Sequence, residues 1–386
     1  MPKDNIKLKN IFLLGFLFAL HIALIAYVNS SFLSLFLAEK NVGLLFTIGS
    51  IVSIIMLLVT PKILRKIGSY KFLLWSVGIN GLFLFLLSTI KSSWLVIPIF
   101  ISYFAINGVI IFSLDELLEI STKNRAVGKI RGLYVTTVSS AWIIAQGVSG
   151  TIINNFSFST LYLFSALIMV VVFLISCISL RNLPDPKYDR VPILKSIVVF
   201  FKNKNLARSY KINFLLQFFY ASMVIYTPIY LNSHIGFNWS EIGIIFMIML
   251  TPFVILPFPL GKYSDKIGER KMLILGFTFA SLSTLSLFFI KEPQIWIWAL
   301  ILFVTRIGAS TIETMSDVYF FKHITPENDE FVGIYRNTTP VAYILAPVVA
   351  FIIFTFTPSF NYIYVALSLF MFYGIYLTST IKKRDV

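Results

Sequence analysis

The sequence predicts an all-α integral membrane protein in which twelve transmembrane helices form two bundles of six. Three observations lead to this fold class: the composition, the placement of the basic residues and an internal repeat. Of the 386 residues, 58% are hydrophobic and only 13% are charged, and the mean hydropathy is +0.86. Soluble domains typically carry about 25% charged residues, so the chain is predicted to lie in a bilayer.

Long apolar stretches recur along the whole chain. Each is about 20 residues long, which is enough for a helix to cross a hydrocarbon core of about 30 Å. Twelve spans are predicted, at residues 11–36, 42–61, 72–90, 94–117, 132–154, 158–180, 211–232, 241–260, 272–290, 294–318, 333–355 and 358–380.

The 32 Lys and Arg residues are divided very unequally between the two sides that these spans define. The odd-numbered connections contain only Lys40, Lys91 and Lys291, and Arg306 lies inside a span. All the others lie at or near the termini and the even-numbered connections. Cytoplasmic connections attract Lys and Arg, which predicts a multi-pass protein of the cytoplasmic (inner) membrane with both termini cytoplasmic. Topology and contact with anionic membrane lipids thus account for the net charge of +15, and no nucleic-acid partner is expected.

The sequence lacks the patterns of the main enzyme classes. It has no Walker loop, no zinc-ligand spacing and no nucleophile elbow. We therefore expect no enzymatic activity, no cofactor and no bound metal, and we expect a monomer. The one cysteine, Cys177, lies in an apolar span and cannot form an internal disulfide.

The two halves of the chain repeat one another. PKILRKIGSYK from Pro61 aligns with GKYSDKIGERK from Gly261, and GLYVTTVSSAWIIA from Gly132 aligns with GIYRNTTPVAYILA from Gly333. Two sets of six spans in the same orientation indicate a parallel membrane repeat. The predicted domains are an N-terminal six-helix bundle at 1–181, a cytoplasmic linker with an amphipathic helix at 182–210 and a C-terminal six-helix bundle at 211–386.

The segment GKYSDKIGERK fits the pattern G-x-x-x-D-x-x-G-x-[KR]-[KR]. Two sets of six spans, a basic central linker and this motif after the second span of a half resemble the major facilitator superfamily. The second copy fits in full, whereas the first copy has proline and arginine in place of the first glycine and the aspartate. The resemblance covers nearly the whole chain and implies a secondary transporter, but it does not indicate the substrate.

The resemblance also implies a cytoplasmic gate, in which cations of the motif pair with acids at the end of the fourth span of their own half. Glu116 is then expected beside Lys66 or Lys71, and Asp317 beside Arg270. The motif aspartate is expected near a helix N-terminus of the other half, where the helix dipole favours an anion. The alternative is a turn that only fixes topology. The predicted gate residues are Gly261, Asp265, Gly268, Arg270, Lys271, Asp317, Lys66, Lys71, Glu116 and Arg131.

Span ten places a cation and two acids on one helical face. A helix turns about 100° per residue, so Glu313 and Asp317 both lie within about 20° of Arg306. Ionisable groups inside a membrane usually face an interior cavity or one another. Arg306 is predicted to hold an anionic or polar substrate group, and the alternative is a structural pair with an acid or a carbonyl group of a neighbouring span. Glu313 is predicted to couple transport to protons, because a desolvated carboxylic acid can carry a proton, and His21 is the second candidate for this role.

Uncharged polar residues in several other spans are candidates for substrate binding. For each of them the alternative is an ordinary hydrogen bond between helices. The candidates are Asn29, Asn107, Trp142, Gln146, Gln217, Tyr220 and Asn337.

These observations predict a secondary active transporter that moves a small polar or anionic organic solute by alternating access, coupled to protons. Its expected partners are the solute, the proton and membrane lipids. An alternative is efflux of drugs, amphipaths or lipids by proton antiport, but span five keeps only the spacing of the antiporter pattern G-x(8)-G-x(3)-G-P-x-x-G-G and has lost most of its residues. A membrane sensor or scaffold without transport is the alternative from another class.

Overall fold

The structure is a computed structural model that describes residues 3–122, 127–180, 193–257, 259–260, 267–324 and 330–381. Within these ranges all the regular secondary structure is helical, so the predicted all-α fold class is confirmed. The helices of the first half are α1 (Lys3–Ala26), α2 (Asn29–Leu33), α3 (Glu39–Ile67), α4 (Ser69–Thr89), α5 (Ser93–Thr122), α6 (Val127–Asn155) and α7 (Phe158–Ser179).

The second half begins with a short helix that precedes its first span. Its helices are α8 (Ile193–Lys202), α9 (Lys204–Ile229), α10 (Trp239–Leu250), α11 (Pro252–Ile255), α12 (Glu269–Leu287), α13 (Ile295–Phe321), α14 (Glu330–Arg336), α15 (Thr338–Phe356) and α16 (Tyr362–Ser379). A π-helix, Tyr230–Ile235, continues α9.

Every predicted span corresponds to a helix or to a pair of consecutive helices. Among the described residues, nine helices are long and apolar enough to cross a membrane. Three predicted spans fall outside that set: α6, α12 and the pair α10–α11. The pair is interrupted at Thr251, where Pro252 begins the new helix, because a proline has no N–H to continue the preceding one.

The π-helix at the end of α9 was not predicted from the sequence. Pro228 lies in the last turn of α9 and removes one backbone donor, and the wider π turn follows two residues later. Gly236 ends it with φ +92°, a left-handed conformation that glycine adopts readily.

The chain divides into two compact units. The first consists of Met1–Asp189 and Asn238–Gly243, and the second consists of Arg190–Phe237 and Ile244–Val386. The amphipathic helix that the sequence predicts in the linker is present as α8 and belongs to the second unit, where the Phe200 side chain is fully buried.

Within the first unit, α1 packs against α6 and α7, α3 against α5, and α4 against α7. Within the second unit, α12 packs against α13 and α16, and α9 packs against α13, α15 and α16. Many large apolar side chains remain exposed, among them Leu58, Leu167 and Phe279. Such surfaces suit helices that are surrounded by lipid rather than by water.

The contact between α12 and α13 depends on two glycines and positions the helix that carries Arg306. A β-carbon added at Gly308 would lie 2.6 Å from the backbone nitrogen of Ala280 and 2.6 Å from the carbonyl oxygen of Gly276. Backbone atoms cannot move aside as a flexible side chain can, so only glycine allows the two helices to approach this closely.

Gly308→Ala is therefore expected to lower the melting temperature of the purified protein by several degrees, because overpacking typically costs about 1–3 kcal/mol. The matched control is Gly333→Ala, since a β-carbon at Gly333 meets no atom within 4 Å. Thermal unfolding of both variants in the same detergent checks the prediction. Equal melting temperatures for Gly308→Ala and the unmodified protein would contradict it.

Candidate functional site

Arg306 lies on α13 with its side chain almost fully buried. Its guanidinium carbon is 5.4 Å from the ring centre of Phe219 and 5.3 Å from that of Tyr220, both on α9. Contact with two aromatic faces stabilises a desolvated cation. The buried Nε and Nη1 atoms nevertheless have no hydrogen-bond partner among the residues that the structure describes. Two strong donors in this environment are available to an acceptor group of a ligand.

The hydroxyl group of Ser310 adds a further polar atom on the same face of α13. Ser310 lies one turn after Arg306, and its Oγ is buried without a hydrogen-bond partner in the described part of the chain. Residues four apart are neighbours on a helix surface. The two side chains together form a buried polar strip whose hydrogen-bonding capacity is not used.

Glu313 follows on this face and is partly buried. The Tyr220 hydroxyl donates a hydrogen bond of 3.0 Å to Glu313 Oε2. Tyr220 therefore contacts the cation with its ring and the acid with its hydroxyl. No ion pair between Arg306 and Glu313 is found among the described residues.

Asp317, one turn beyond Glu313, has partners that differ from the expected one. Its Oδ1 accepts a 3.0 Å hydrogen bond from the Tyr335 hydroxyl, and its Oδ2 is 3.0 Å from Arg336 Nη2. Within the described ranges no ion pair joins Asp317 to Arg270, although the repeat suggested that pair. The reason is geometric: α14 brings a tyrosine and an arginine to the carboxylate.

Tyr335 and Arg336 were not identified from the sequence. In the aligned segments GLYVTTVSS and GIYRNTTPV, the arginine stands opposite Val135. An ionisable residue in one repeat that stands opposite an apolar residue in the other was the available signal.

Several predicted gate residues can be placed. Gly268 precedes α12 with φ +84°, and Gly68 precedes α4 with φ +81°, so the same left-handed turn occurs in both halves. Arg270 and Lys271 lie in the first turn of α12, and Lys66 and Lys71 are exposed on either side of Gly68. Gly261 and Asp265 lie outside the described residues, as do the side chains of Glu116 and Arg131.

The motif also contains a buried acid that sequence reasoning missed. Glu269, between Gly268 and Arg270, has no exposed side-chain surface and forms an ion pair of 2.5 Å with Lys322 Nζ at the end of α13. The pair joins the start of α12 to the end of α13. Because the pattern treats this position as variable, it gave no signal.

His21 on α1 is fully buried. Its ring lies 4.7 Å from that of Phe18 and 6.4 Å from that of Tyr103, measured between centroids. Neither ring nitrogen is hydrogen-bonded to a described residue. An aromatic and largely apolar environment surrounds this second candidate for proton coupling.

The polar candidates of the first unit mostly join helices to one another. The Tyr162 hydroxyl donates to Asn29 Oδ1 at 2.7 Å, and Gln146 Nε2 donates to the Ala23 carbonyl at 2.9 Å. Asn107 Oδ1 accepts a 2.8 Å bond from Asn80, and the Trp142 ring meets the Tyr27 ring edge to face at 6.4 Å. For Asn29, Asn107 and Gln146, these are the ordinary hydrogen bonds between helices that were the alternative to substrate binding.

In the second unit, Gln217 lies on α9 about one helical turn before Tyr220. Its Oε1 accepts a 3.1 Å hydrogen bond from Thr339, and its Nε2 donates a long one of 3.5 Å to Asn213. Asn337 is exposed at the junction of α14 and α15. Of the polar candidates, Tyr220 is thus the one in direct contact with Arg306 and Glu313.

Comparison with known proteins adds family and fold. The family model described as Major Facilitator Superfamily matches residues 11–251 and 212–385. A search of curated protein sequences finds no match to the chain. Similar solved structures include a point mutant of the nucleoside transporter NupG, with a TM-score of 0.80, 12% identity and coverage of 97% of this chain and 99% of that one.

The unmutated NupG structure gives a TM-score of 0.75 at 13% identity and covers 98% of both chains. An inward-facing, unoccupied structure of a bacterial homologue of the human lysosomal transporter Spinster gives 0.75 at 12% identity, with coverage of 98% of this chain and 95% of that one. At such low identity these similarities establish the fold alone. The family match along nearly the whole chain shows that the protein belongs to the major facilitator superfamily and is a multi-pass membrane transporter, not an enzyme.

Proposed function

We propose that the protein is a secondary active transporter that moves a small anionic organic solute by alternating access, with Glu313 as the proton-coupling group. The observation that carries the proposal is the buried Arg306 guanidinium, two of whose nitrogens have no partner among the described residues. An unpaired buried charge is costly to a protein. The presence of such a charge is best explained by a ligand that supplies the missing hydrogen-bond acceptors.

The chemistry around Arg306 favours a carboxylate or a phosphate as the recognised group. Both groups offer planar or clustered oxygens that accept two guanidinium donors at once. The aromatic rings of Phe219 and Tyr220 beside the cation suit a solute that also carries an apolar or aromatic part. A nucleoside, which the names of two similar structures mention, has an aromatic ring but lacks the anionic group, so we place anionic solutes first.

The link between solute and proton runs through Tyr220. Its ring contacts the cation that would bind the solute, and its hydroxyl binds the acid that would carry the proton. A solute that pairs with Arg306 alters the position of this ring, which changes the hydrogen bond to Glu313. Binding at one group thereby biases the other, as coupled transport requires.

The site continues from Glu313 towards the side that is rich in Lys and Arg. Asp317 follows four residues later and is held by Tyr335 and Arg336. We propose that this cluster receives the proton or screens Glu313 when the binding site opens to the cytoplasm. The cytoplasmic location of both termini belongs to the same proposal and rests on the distribution of the basic residues. Import is proposed as the direction of flux.

A stabilisation screen tests the proposed substrate class. Small mono- and dicarboxylates and phosphate esters, each with a neutral analogue, are added to detergent-purified protein, and the melting temperature is recorded. A solute that binds the folded state raises it. We expect some anionic solutes, and none of their neutral analogues, to stabilise the unmodified protein.

Two variants show whether Arg306 is responsible. Arg306→Gln is expected to abolish the stabilisation, whereas Lys291→Gln, which also removes one positive charge but at an exposed position between α12 and α13, is expected to retain it. Equal stabilisation of Arg306→Gln and the unmodified protein would overturn the assignment of the site. Stabilisation by the neutral analogues alone would overturn the proposed class of solute.

A further inference from the structure

The helix α8 has two different faces. Phe200 and Ser196 are buried against the second unit, whereas Val198, Val199 and Phe201 are exposed. Exposed apolar residues on a short helix need a non-aqueous neighbour if they are not to cost free energy. The position of the helix identifies that neighbour: only Asn203 separates α8 from α9, which begins the membrane-spanning segment Lys204–Ile235. The helix therefore lies at the membrane surface.

The charges around α8 indicate which lipids it meets. Residues 193–211 contain five cations and no acid, ILKSIVVFFKNKNLARSYK. Lys195, Lys202 and Lys204 are exposed, whereas Arg208 is held by bonds to Asn205, Tyr319 and Thr380. Basic residues beside an apolar helix face favour anionic headgroups, and the attraction amounts to roughly a fivefold preference per lysine.

The buried face of α8 leads to the acid cluster of the second unit. Phe200 packs in one core cluster with Leu206, Phe320, Phe331 and Tyr335. The Phe320 and Tyr335 rings are stacked, with centroids 4.1 Å apart and planes inclined by 7°. The hydroxyl of that tyrosine donates to Asp317. A continuous chain of contacts thus runs from the membrane-facing helix to the Asp317 carboxylate.

We propose that α8 is a binding helix for anionic lipid and that its engagement by the membrane surface steadies the Tyr335–Asp317–Arg336 cluster through Phe200. Lipid that holds α8 in place keeps Phe200 against the aromatic stack. The stack then keeps the tyrosine hydroxyl on the carboxylate. Neither step depends on the identity of the transported solute, so the inference stands apart from the proposed function.

Hydrogen exchange in nanodiscs tests the binding step. The protein is placed in discs of phosphatidylcholine alone and in discs that contain phosphatidylglycerol as well, and the exchange of amides 193–202 is followed. We expect phosphatidylglycerol to slow this exchange severalfold. The triple variant Lys195→Gln, Lys202→Gln, Lys204→Gln is expected to lose the effect.

A matched triple variant controls for net charge. Lys40→Gln, Lys91→Gln, Lys291→Gln removes the same number of exposed lysines from the side with few basic residues and is expected to behave like the unmodified protein. Slow exchange that is equal in both kinds of disc would overturn the proposal, because it would indicate that protein rather than anionic lipid covers α8. An equal response of the two triple variants would also overturn it.

The same experiment also tests whether lipid binding at α8 affects the Tyr335–Asp317–Arg336 cluster through Phe200. Phosphatidylglycerol is expected to slow exchange in 330–337 as well, where Tyr335 and Arg336 lie. Phe200→Ala removes the contacting ring and should abolish the response of 330–337 while the response of 193–202 remains. Phe200→Leu, which retains most of the apolar volume, serves as a milder variant if the alanine variant is unstable. A full response of 330–337 in both Phe200 variants would show that the path does not run through this residue.

Discussion

Glu313→Gln is expected to abolish accumulation of the solute driven by a pH gradient, while exchange of internal for external solute continues at close to the normal rate. The glutamine keeps the shape of the side chain and can still accept a hydrogen bond from Tyr220, but it cannot take up or release a proton. Exchange needs only a loaded carrier that changes its access, whereas net accumulation needs proton release on the opposite side. The measurement is uptake of labelled solute into proteoliposomes with and without an imposed gradient.

Two controls separate coupling from damage to the fold. Glu292→Gln makes the same change at an exposed position between α12 and α13 and is expected to leave accumulation unchanged. Tyr220→Phe removes the hydrogen bond to Glu313 but keeps a ring over Arg306, so it is expected to weaken coupling more than binding. If Glu313→Gln accumulates solute normally, the coupling group must be sought at His21, Asp317 or Glu116.

Arg306→Gln is expected to weaken binding of the anionic solute by about two to four orders of magnitude. Hydrogen bonds to charged groups contribute about 1.5–3 kcal/mol each, and two such bonds would be lost. Arg306→Lys keeps the charge but not the planar fork of donors, so its affinity for the solute should lie between those of the unmodified protein and Arg306→Gln. Titration calorimetry on purified protein with the solute found by the stabilisation screen measures the dissociation constants.

Arg306→Met distinguishes a ligand site from a structural cation. Removing an unpaired buried charge and filling its volume with an apolar side chain is often neutral or stabilising. We therefore expect the solute-free Arg306→Met protein to melt at the same temperature as the unmodified protein or higher. A large loss of stability would mean that Arg306 has a structural role, as its contacts with the Phe219 and Tyr220 rings allow.

The sequence was sufficient for the fold but only partly sufficient for the site. Apolar stretches of membrane-spanning length and the repeat predict twelve spans in two halves because both signals lie along the chain itself. The π-helix after Pro228 and the interruption at Thr251 were missed, since a proline in a long apolar run indicates a possible break without fixing its form.

Within the site, the common face of Arg306, Glu313 and Asp317 follows from helical periodicity alone. The partners of these residues on other helices do not. Which side chain of α9 lies opposite Arg306, and whether Arg270 or Arg336 reaches Asp317, depends on how the helices are rotated and tilted in the bundle. Tyr220 was one of several polar candidates for this reason, and Tyr335 was missed.

The central claim is that movement of the solute and movement of a proton are one process, and the pH inside solute-free proteoliposomes tests it most directly. Protein is reconstituted into liposomes that contain a trapped fluorescent pH indicator, with equal pH on both sides, and the anionic solute is added outside. The account predicts that the interior becomes acidic as the solute enters, and that Glu313→Gln proteoliposomes show no such change. Entry of labelled solute at the normal rate without any change in the internal pH would contradict it.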